Sequence, residues 1–382
     1  MHPIKLTFLL PCLGIGGVEM HFLHLSNYFS KSYKEVEILY QNELDDGSYK
    51  RKFNKKVLFK QINLKGFIKS ISIYSNYLDN SKPDLIIVAM YMEAIKIILA
   101  RAISSHKPKI VINGSAHFSS LIKFSDSMVI KSFLRPMAKI FYPLADFFIC
   151  QSDGMKSDIT SQINIPPERI KTIFNAVLED QNIFQLSDIA FDPWDSSLNK
   201  PYQIIMAGRL VAQKCIAEFI EIFNTLRKNE NLRLLIMGEG NLKGQIEERI
   251  EKYSLQNDIK IIPFQENFHC YLKQSDLMIV NSSYEGLNNM IIHSLACGTP
   301  IISRDCPSGP SEILQDGKFG HLVALGDDKK MIELIRREMK KSSFNSHDLV
   351  ERSSAFSVSK AASEYNKVFL KCLNINNEEL HQ

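Results

Sequence analysis

This sequence has a single tryptophan in 382 residues, no cysteine pair spaced CxxC and no run of 18 apolar residues. Each shortage excludes something. The seven cysteines (Cys12, Cys150, Cys215, Cys270, Cys297, Cys306 and Cys372) lack metal-ligand spacing and are scattered as buried small hydrophobes in a reducing compartment. The longest apolar candidate, LIIVAMYMEAIKIILA, is broken by Glu93 and Lys96, so no membrane-spanning helix is expected. The opening MHPIKLTFLLPCLGIGG ends in a glycine loop without a small-residue cleavage pattern, and it reads as a first strand rather than a secretory signal. The expected location is cytoplasmic.

Charge is also scarce in net terms, +4, but it is unevenly placed. Residues 1–180 hold 23 Lys+Arg against 16 Asp+Glu, or +7; the remaining 23 Lys+Arg and 26 Asp+Glu give −3. From Lys50 to Lys69 there are eight basic residues and no acidic one, interleaved with Phe53, Leu58, Phe59, Phe67 and Ile68. A second stretch, LIKFSDSMVIKSFLRPMAKIFYPL, sets Lys123, Lys131, Arg135 and Lys139 against Asp126 alone. Such patterns suit either a surface resting on anionic lipid headgroups or a solvated helix face. No nucleic-acid-binding motif accompanies the charge, so nucleic acid is not an expected partner.

The length exceeds one comfortable core, and the chain repeats one grammar twice. IKLTFLLP, EVEILY, PDLIIVAM, KIVINGS and DFFICQS are strand candidates in the first half; YQIIMAGR, LRLLIMGEG, IKIIPF, DLMIVNSS and TPIISRD follow in the second. Helical patterns such as GGVEMHFLHLSNYFS lie between them. Near-continuous apolar strands separated by helices predict an α/β protein with two doubly wound, Rossmann-like parallel-sheet domains. Residues 1–182 are expected to form the first and 183–355 the second. Residues 356–382 are a helix expected to cross back to the first. Gln181 to Lys200, with Pro193 and Trp194, reads as a linker. Ligands bind beyond the carboxyl ends of parallel strands, so two such domains facing each other are expected to form one cleft.

Several strand ends carry polar or glycine-rich elements. GIGGVE follows the first strand, where Gly14, Gly16 and Gly17 let backbone amides approach a ligand, although a tight turn explains them equally well. In AGRLVAQK, Arg209 and Lys214 sit five apart beyond a strand, within reach of one diphosphate or simply solvated. After DLMIVN, the loop SSYEGLNN leads into a helix from about Asn289 to Cys297, closed by Gly298 and Pro300. Its amides favour an anion, and Glu285 is placed to accept hydrogen bonds from hydroxyls. DCPSGPSE makes a second loop, with Ser311 as the expected N-cap of the next helix.

Taken in order, GGVE, AGRLVAQK, MGEG, SSYEGLNNMIIHSLACGTPIIS and DCPSGPSEIL resemble the retaining glycosyltransferases of family 4, which have the GT-B fold. The resemblance covers nearly the whole chain, and its last motif is similar to the subset that builds bacterial surface polysaccharides. It implies transfer of a hexose or N-acetylhexosamine from a nucleotide diphosphate sugar, with UDP the expected nucleotide, to a glycan or lipid-linked glycan hydroxyl. The product would be an alpha linkage in cell-surface polysaccharide or lipopolysaccharide, made at the inner face of the cytoplasmic membrane. By the same resemblance Arg209 and Lys214 neutralise the diphosphate, and Glu285 contacts the sugar hydroxyls. Gly208 lies beside them, and the backbone of Gly286, Leu287, Asn288 and Asn289 cradles sugar and phosphate. Gly16 and Gly17 let the first domain approach the diphosphate, His117 faces the reacting sugar, and Phe264 falls where backbone groups meet the nucleobase. A lone histidine is more often structural than catalytic; the family match favours the second for His117.

Three positions depart from the family pattern. The second glutamate of its E-x7-E motif, a ribose ligand, is His293 here. Imidazole still bonds a ribose hydroxyl, but the two-acceptor carboxylate is gone, so altered nucleotide binding is expected. Cys215 stands where the family commonly has Gly, and Asn288 where the subset often has Pro. The implied reaction needs no protein nucleophile, no cofactor beyond the donor and no metal, the Arg–Lys pair standing in for one. Two other readings share the fold: a UDP-sugar epimerase and a non-catalytic partner subunit of another transferase.

Overall fold

The computed structural model describes residues 2–14, 16–43, 49–64, 66–89, 91–125, 127–179, 194 and 201–375. The linker read at Gln181–Lys200 lies outside the described residues except for Trp194, which is buried beneath the guanidinium of Arg233. The chain divides into two compact units, residues 1–179 with 356–382, and residues 180–355.

Unit 1 opens with β1 (His2–Leu13), α1 (Gly17–Phe29), β2 (Tyr33–Glu43), β3 (Val57–Gln61) and α2 (Phe67–Ser81). It continues with β4 (Leu85–Val88), α3 (Tyr91–Ile103), β5 (Lys109–Gly114), α4 (Phe118–Phe124) and α5 (Arg135–Phe141). Then come β6 (Phe147–Cys150), α6 (Asp153–Gln162) and β7 (Ile170–Thr172). In unit 2, β8 (Tyr202–Ala207), α7 (Ile216–Arg227), β9 (Leu232–Met237), α8 (Lys243–Lys252), β10 (Ile259–Ile262) and α9 (Phe268–Gln274) lead to β11 (Leu277–Val280). After it follow α10 (Asn289–Ala296), β12 (Ile301–Arg304), α11 (Pro310–Leu314), β13 (His321–Val323), α12 (Asp328–Lys340) and α13 (Ser346–Ser353). The chain then returns to unit 1 as α14 (Val358–Leu373).

Both sheets are parallel throughout, in the orders β3-β2-β1-β4-β5-β6-β7 and β10-β9-β8-β11-β12-β13. The continuous apolar runs make sense as strands covered on both faces. Along β1, Leu6, Phe8 and Leu10 pack with α1 and α14, while Leu9 turns to the opposite core with α2 and α3. In β4, Leu85 and Ile87 share the first core, and Ile86 and Val88 the second. Period-two alternation with both faces apolar is what the unbroken hydrophobic run encodes. Three strands escape that signal: β3 sits in the basic run, and β7 and β13 are three residues each.

A buried polar relay fixes α14. The Tyr365 hydroxyl donates to Asn113 Oδ1 on β5 at 2.7 Å and lies 2.9 Å from His21 Nε2 on α1. His21 Nδ1 accepts from the Ala176 amide at 2.9 Å, which leaves its proton on Nε2, facing the tyrosine oxygen. Burial holds the His21 pKa down at about 3, so the ring stays neutral.

The basic run from Lys50 is less free than its composition suggests. Phe53 and Val57 are core residues, and the Phe53 and Phe59 rings meet edge-on at 5.0 Å. Lys50 pairs with Glu43 at 2.7 Å, and only Leu58 and Ile68 of its large apolar residues are exposed. Among the described residues no helix is long and apolar enough to cross a membrane.

Candidate functional site

In unit 2 the strand order reverses between β8 and β11, which pair Ile204 with Leu277. Open parallel sheets take ligands beyond the carboxyl ends of the strands at such a switch point. Gly208 to Cys215 follow β8, and Asn281 to Asn288 follow β11. The two segments are tied: Ser283 N donates to Gln213 O at 2.9 Å, Gln213 Nε2 to Tyr284 O at 2.8 Å, and Asn281 Nδ2 to Cys215 O at 2.8 Å. Cys215 takes φ +47°, a left-handed conformation costing a side-chain-bearing residue about 1–2 kcal/mol, which is why glycine suits this position.

Glu285 is the centre of the arrangement. Its side chain is buried, yet Oε1 accepts from Lys214 Nζ at 2.6 Å and from Asn288 Nδ2 at 2.8 Å, and Gln213 Nε2 approaches Oε2 at 3.4 Å. Burial of a carboxylate is tolerable only with such partners. Asn288 has a second task, because its Oδ1 accepts the Met290 amide and caps α10. A proline in its place could do neither. Gly286 and Leu287 are buried in the turn between them, and Asn289 begins the helix. Arg209 differs from its neighbours: it is exposed, and its guanidinium has no partner among the described residues. One cation is held against a carboxylate and the other is available.

The loop after β12 forms the next wall. Ser308 Oγ donates to Glu285 O at 2.6 Å, and a Cβ added at Gly309, φ +93°, would stand 3.1 Å from Gly286 O. Here the expected N-cap is corrected. α11 begins at Pro310 after Gly309, so Ser311 lies inside the helix; proline's fixed φ suits the first helical position. In MGEG, Gly238 follows β9, and a Cβ there would overlap the carbonyl oxygen of Gly208. This glycine serves the packing of the β8 loop.

Beyond β10 an aromatic cluster gathers. Phe264 and Phe268 rings are 5.1 Å apart, and Phe268 meets His293 edge-on at 4.8 Å. His269 Nε2 and His293 Nδ1 are 3.0 Å apart. Burial, with a smaller contribution from the Lys273 charge, lowers the His269 pKa to about 4, so at neutral pH it pairs as an uncharged ring. Phe264 and His293, 29 positions apart, therefore share one cluster. Phe268 and His269 escaped the sequence reading; their place at the start of the helix after a strand-end loop was the available signal.

Unit 1 holds the other predicted residues. Gly16 precedes α1 and Gly17 begins it. The Glu19 carboxylate folds back over Gly16 and accepts from Cys12 Sγ at 3.5 Å; burial and that carboxylate push the Cys12 pKa up to about 11. His117 follows β5 and caps α4, Nδ1 accepting from Ser120 N at 3.3 Å, with Asp158 Oδ2 3.4 Å away. Burial lowers its pKa while Asp158 opposes the shift. A neutral ring with Nδ1 accepting carries its proton on Nε2. Among the described residues one group of metal-ligating side chains lies close together, His347, Asp348 and Glu351, all exposed on α13.

With this geometry in view, two family models match. The one described as Glycosyltransferase Family 4 covers residues 15–181, and the one described as Glycosyl transferases group 1 covers 188–354. Among curated proteins, an uncharacterized glycosyltransferase of Methanocaldococcus jannaschii is 35% identical over 46% of this chain. The N-acetylgalactosamine-N,N'-diacetylbacillosaminyl-diphospho-undecaprenol 4-alpha-N-acetylgalactosaminyltransferase of Campylobacter jejuni is 28% identical over 60%. The chain spans 44% and 60% of those two proteins' lengths. The amylovoran biosynthesis glycosyltransferase AmsD of Erwinia amylovora is 23% identical over 80% of this chain and 81% of its own. Among solved structures, the lipopolysaccharide outer core galactosyltransferase WaaB superposes with a TM-score of 0.74 at 17% identity, covering 96% of this chain and 99% of its own. Anabaena HepE in complex with UDP-glucose has a TM-score of 0.74 at 16% identity, covering 96% and 100%. These likenesses are of the GT-B fold.

Proposed function

We propose the following reaction on the premise that this chain belongs to the family 4 glycosyltransferases, whose two halves match residues 15–181 and 188–354. It moves a hexose or N-acetylhexosamine from a UDP-sugar to a hydroxyl of a glycan or lipid-linked glycan, with retention at the anomeric carbon. The observation that carries this reading is the Lys214–Glu285–Asn288 network at the β8–β11 switch point, with exposed Arg209 beside it in the chain. A diphosphate needs two cations near its developing charge, and a sugar needs a fixed carboxylate for its hydroxyls.

In the transfer, the bond between the anomeric carbon and the β-phosphate oxygen breaks as the acceptor oxygen bonds to the same face of that carbon. UDP leaves with the electron pair, and the acceptor's proton passes to the departing phosphate oxygen. Arg209, Lys214 and the amides at the start of α10 stabilise the leaving group without a metal ion. Phe264 and His293 take the nucleoside side. The acceptor belongs to bacterial surface polysaccharide or lipopolysaccharide assembly at the cytoplasmic membrane face. Supporting this, the Campylobacter relative is named for a diphospho-undecaprenol substrate and the Erwinia relative for amylovoran biosynthesis.

The test is nucleotide release from a panel of UDP-, GDP- and ADP-sugars, with and without bacterial lipid extract and with and without EDTA. Release from a UDP-sugar, stimulated by lipid and indifferent to EDTA, is the expected result. Silence with every donor despite measurable UDP binding overturns it in favour of a partner subunit. Conversion of the donor without acceptor favours an epimerase.

A further inference from the structure

Unit 1 carries nine of the ten large hydrophobic side chains exposed among the described residues. Six of the nine fall within residues 124–144: Phe124, Met128, Val129, Phe133, Ile140 and Leu144. This stretch comprises the end of α4, a π-helical turn at Ile130–Leu134, α5, and a 3₁₀ turn at Tyr142–Leu144. It has two apolar faces. Leu134, Ala138 and Tyr142 recur every four residues and are buried in the core over β4, β5 and β6. Val129, Phe133, Pro136, Ile140 and Leu144 recur at intervals of three and four, and all five are exposed, Ile140 by 64% and Phe133 by 58%. A helix that only roofs a core carries one apolar stripe and polar residues opposite. The outward stripe asks for an occupant of its own.

Charge selects that occupant. Lys123, Lys131, Arg135 and Lys139 are exposed along the same stretch, and no acidic residue occurs from Ser127 to Leu144. A second copy of the chain meeting this face would set four cations against four more. An anionic bilayer offers the opposite sign at its headgroups and an apolar boundary just beneath, which suits apolar side chains flanked by lysines and arginine.

We infer that the outward stripe of residues 128–144, with its basic neighbours, is the surface by which this chain rests on an anionic lipid bilayer. The contact is made by α5 and the π-helical turn before it, and the Lys50–Lys69 run is at most an electrostatic accessory, since its Phe53 and Val57 are core. The surface follows directly on α4, the helix that His117 caps. The inference leans on the proposed function only for the reason a bilayer is present; the surface is read from side chains alone.

Co-sedimentation of the full chain with phosphatidylglycerol-containing vesicles, against pure phosphatidylcholine vesicles, tests it without donor or acceptor. The wild type is expected to pellet with the anionic vesicles and to keep part of that binding in high salt. The double substitution Phe133→Glu with Ile140→Glu is expected to lower partitioning at least about tenfold, with melting temperature unchanged because both side chains are exposed. Three results overturn the inference: a wild type that stays in solution with every vesicle; a double variant that binds as the wild type does; or a wild-type dimer in solution that the double variant splits. Release by charge reversal at Lys52, Lys55 and Lys56 while the double variant stays bound moves the contact elsewhere and overturns it too. Donor hydrolysis in detergent, assayed separately on the same variants, shows whether the transferase reading fails independently.

Discussion

The first six strands of the unit 1 sheet run β3-β2-β1-β4-β5-β6, and unit 2 repeats that order as β10-β9-β8-β11-β12-β13. What the two sheets carry differs. Among the described residues, unit 1 exposes nine large hydrophobic side chains and unit 2 one, Leu325. Residues 1–180 carry +7 and the remainder −3. At the switch point of unit 2, buried Glu285 gathers Lys214, Asn288 and Gln213, whereas after β5 in unit 1 His117 caps its own helix and stands beside Asp158. One topology supplies two rigid platforms, and the chemistry is set by the loops and helix faces mounted on each.

The sharpest way to press the contrast is Arg209→Ala. An exposed, unpaired guanidinium contributes little to folding, so the melting temperature should hold while kcat/KM for a UDP-sugar falls by about 10²–10³-fold. Near-normal turnover in steady-state kinetics would mean that unit 2 does not place its free cation on the leaving group. Tyr365→Phe probes unit 1 in the opposite sense. It removes the hydroxyl shared by His21 and Asn113, stranding buried polar groups at a cost of about 1–3 kcal/mol. Chemical denaturation should register that loss while donor binding is retained. The smallest effect is expected from His293→Glu. Restoring the family carboxylate should lower donor KM by about threefold, less than 1 kcal/mol, with kcat little changed. An unaltered KM would detach His293 from the nucleotide.

The α/β order was legible because parallel strands covered on both faces must be continuously apolar, as in IKLTFLLP and LRLLIM. β7 and β13 were not, since three residues carry no period, and β3 was masked by the lysines around it. Sequence order also put Arg209, Lys214 and Glu285 on strand-end loops, where they are found. It could not say that Lys214 would close on Glu285, 71 residues away, and leave Arg209 open. Nor could it sort the apolar residues of 121–144 into inward and outward sets, because an irregular helical turn shifts the register midway. Ser311 was misplaced because serine at a helix start is a common cap, and the Gly309–Pro310 pair outranked it.

The return of α14 has a consequence for how the protein is made. Val358, Ala362, Tyr365 and Phe369 complete the core that begins with Leu6 and Phe8, yet they leave the ribosome after all of unit 2. Unit 2 is one uninterrupted stretch, free to fold as soon as it emerges, whereas unit 1 waits with one face of its sheet covered by α1 but still lacking α14. The half synthesised first is thus the half finished last. Joining α14 ahead of β1 by circular permutation would remove that delay, because α14 and α1 would then be neighbours in sequence as they are in space.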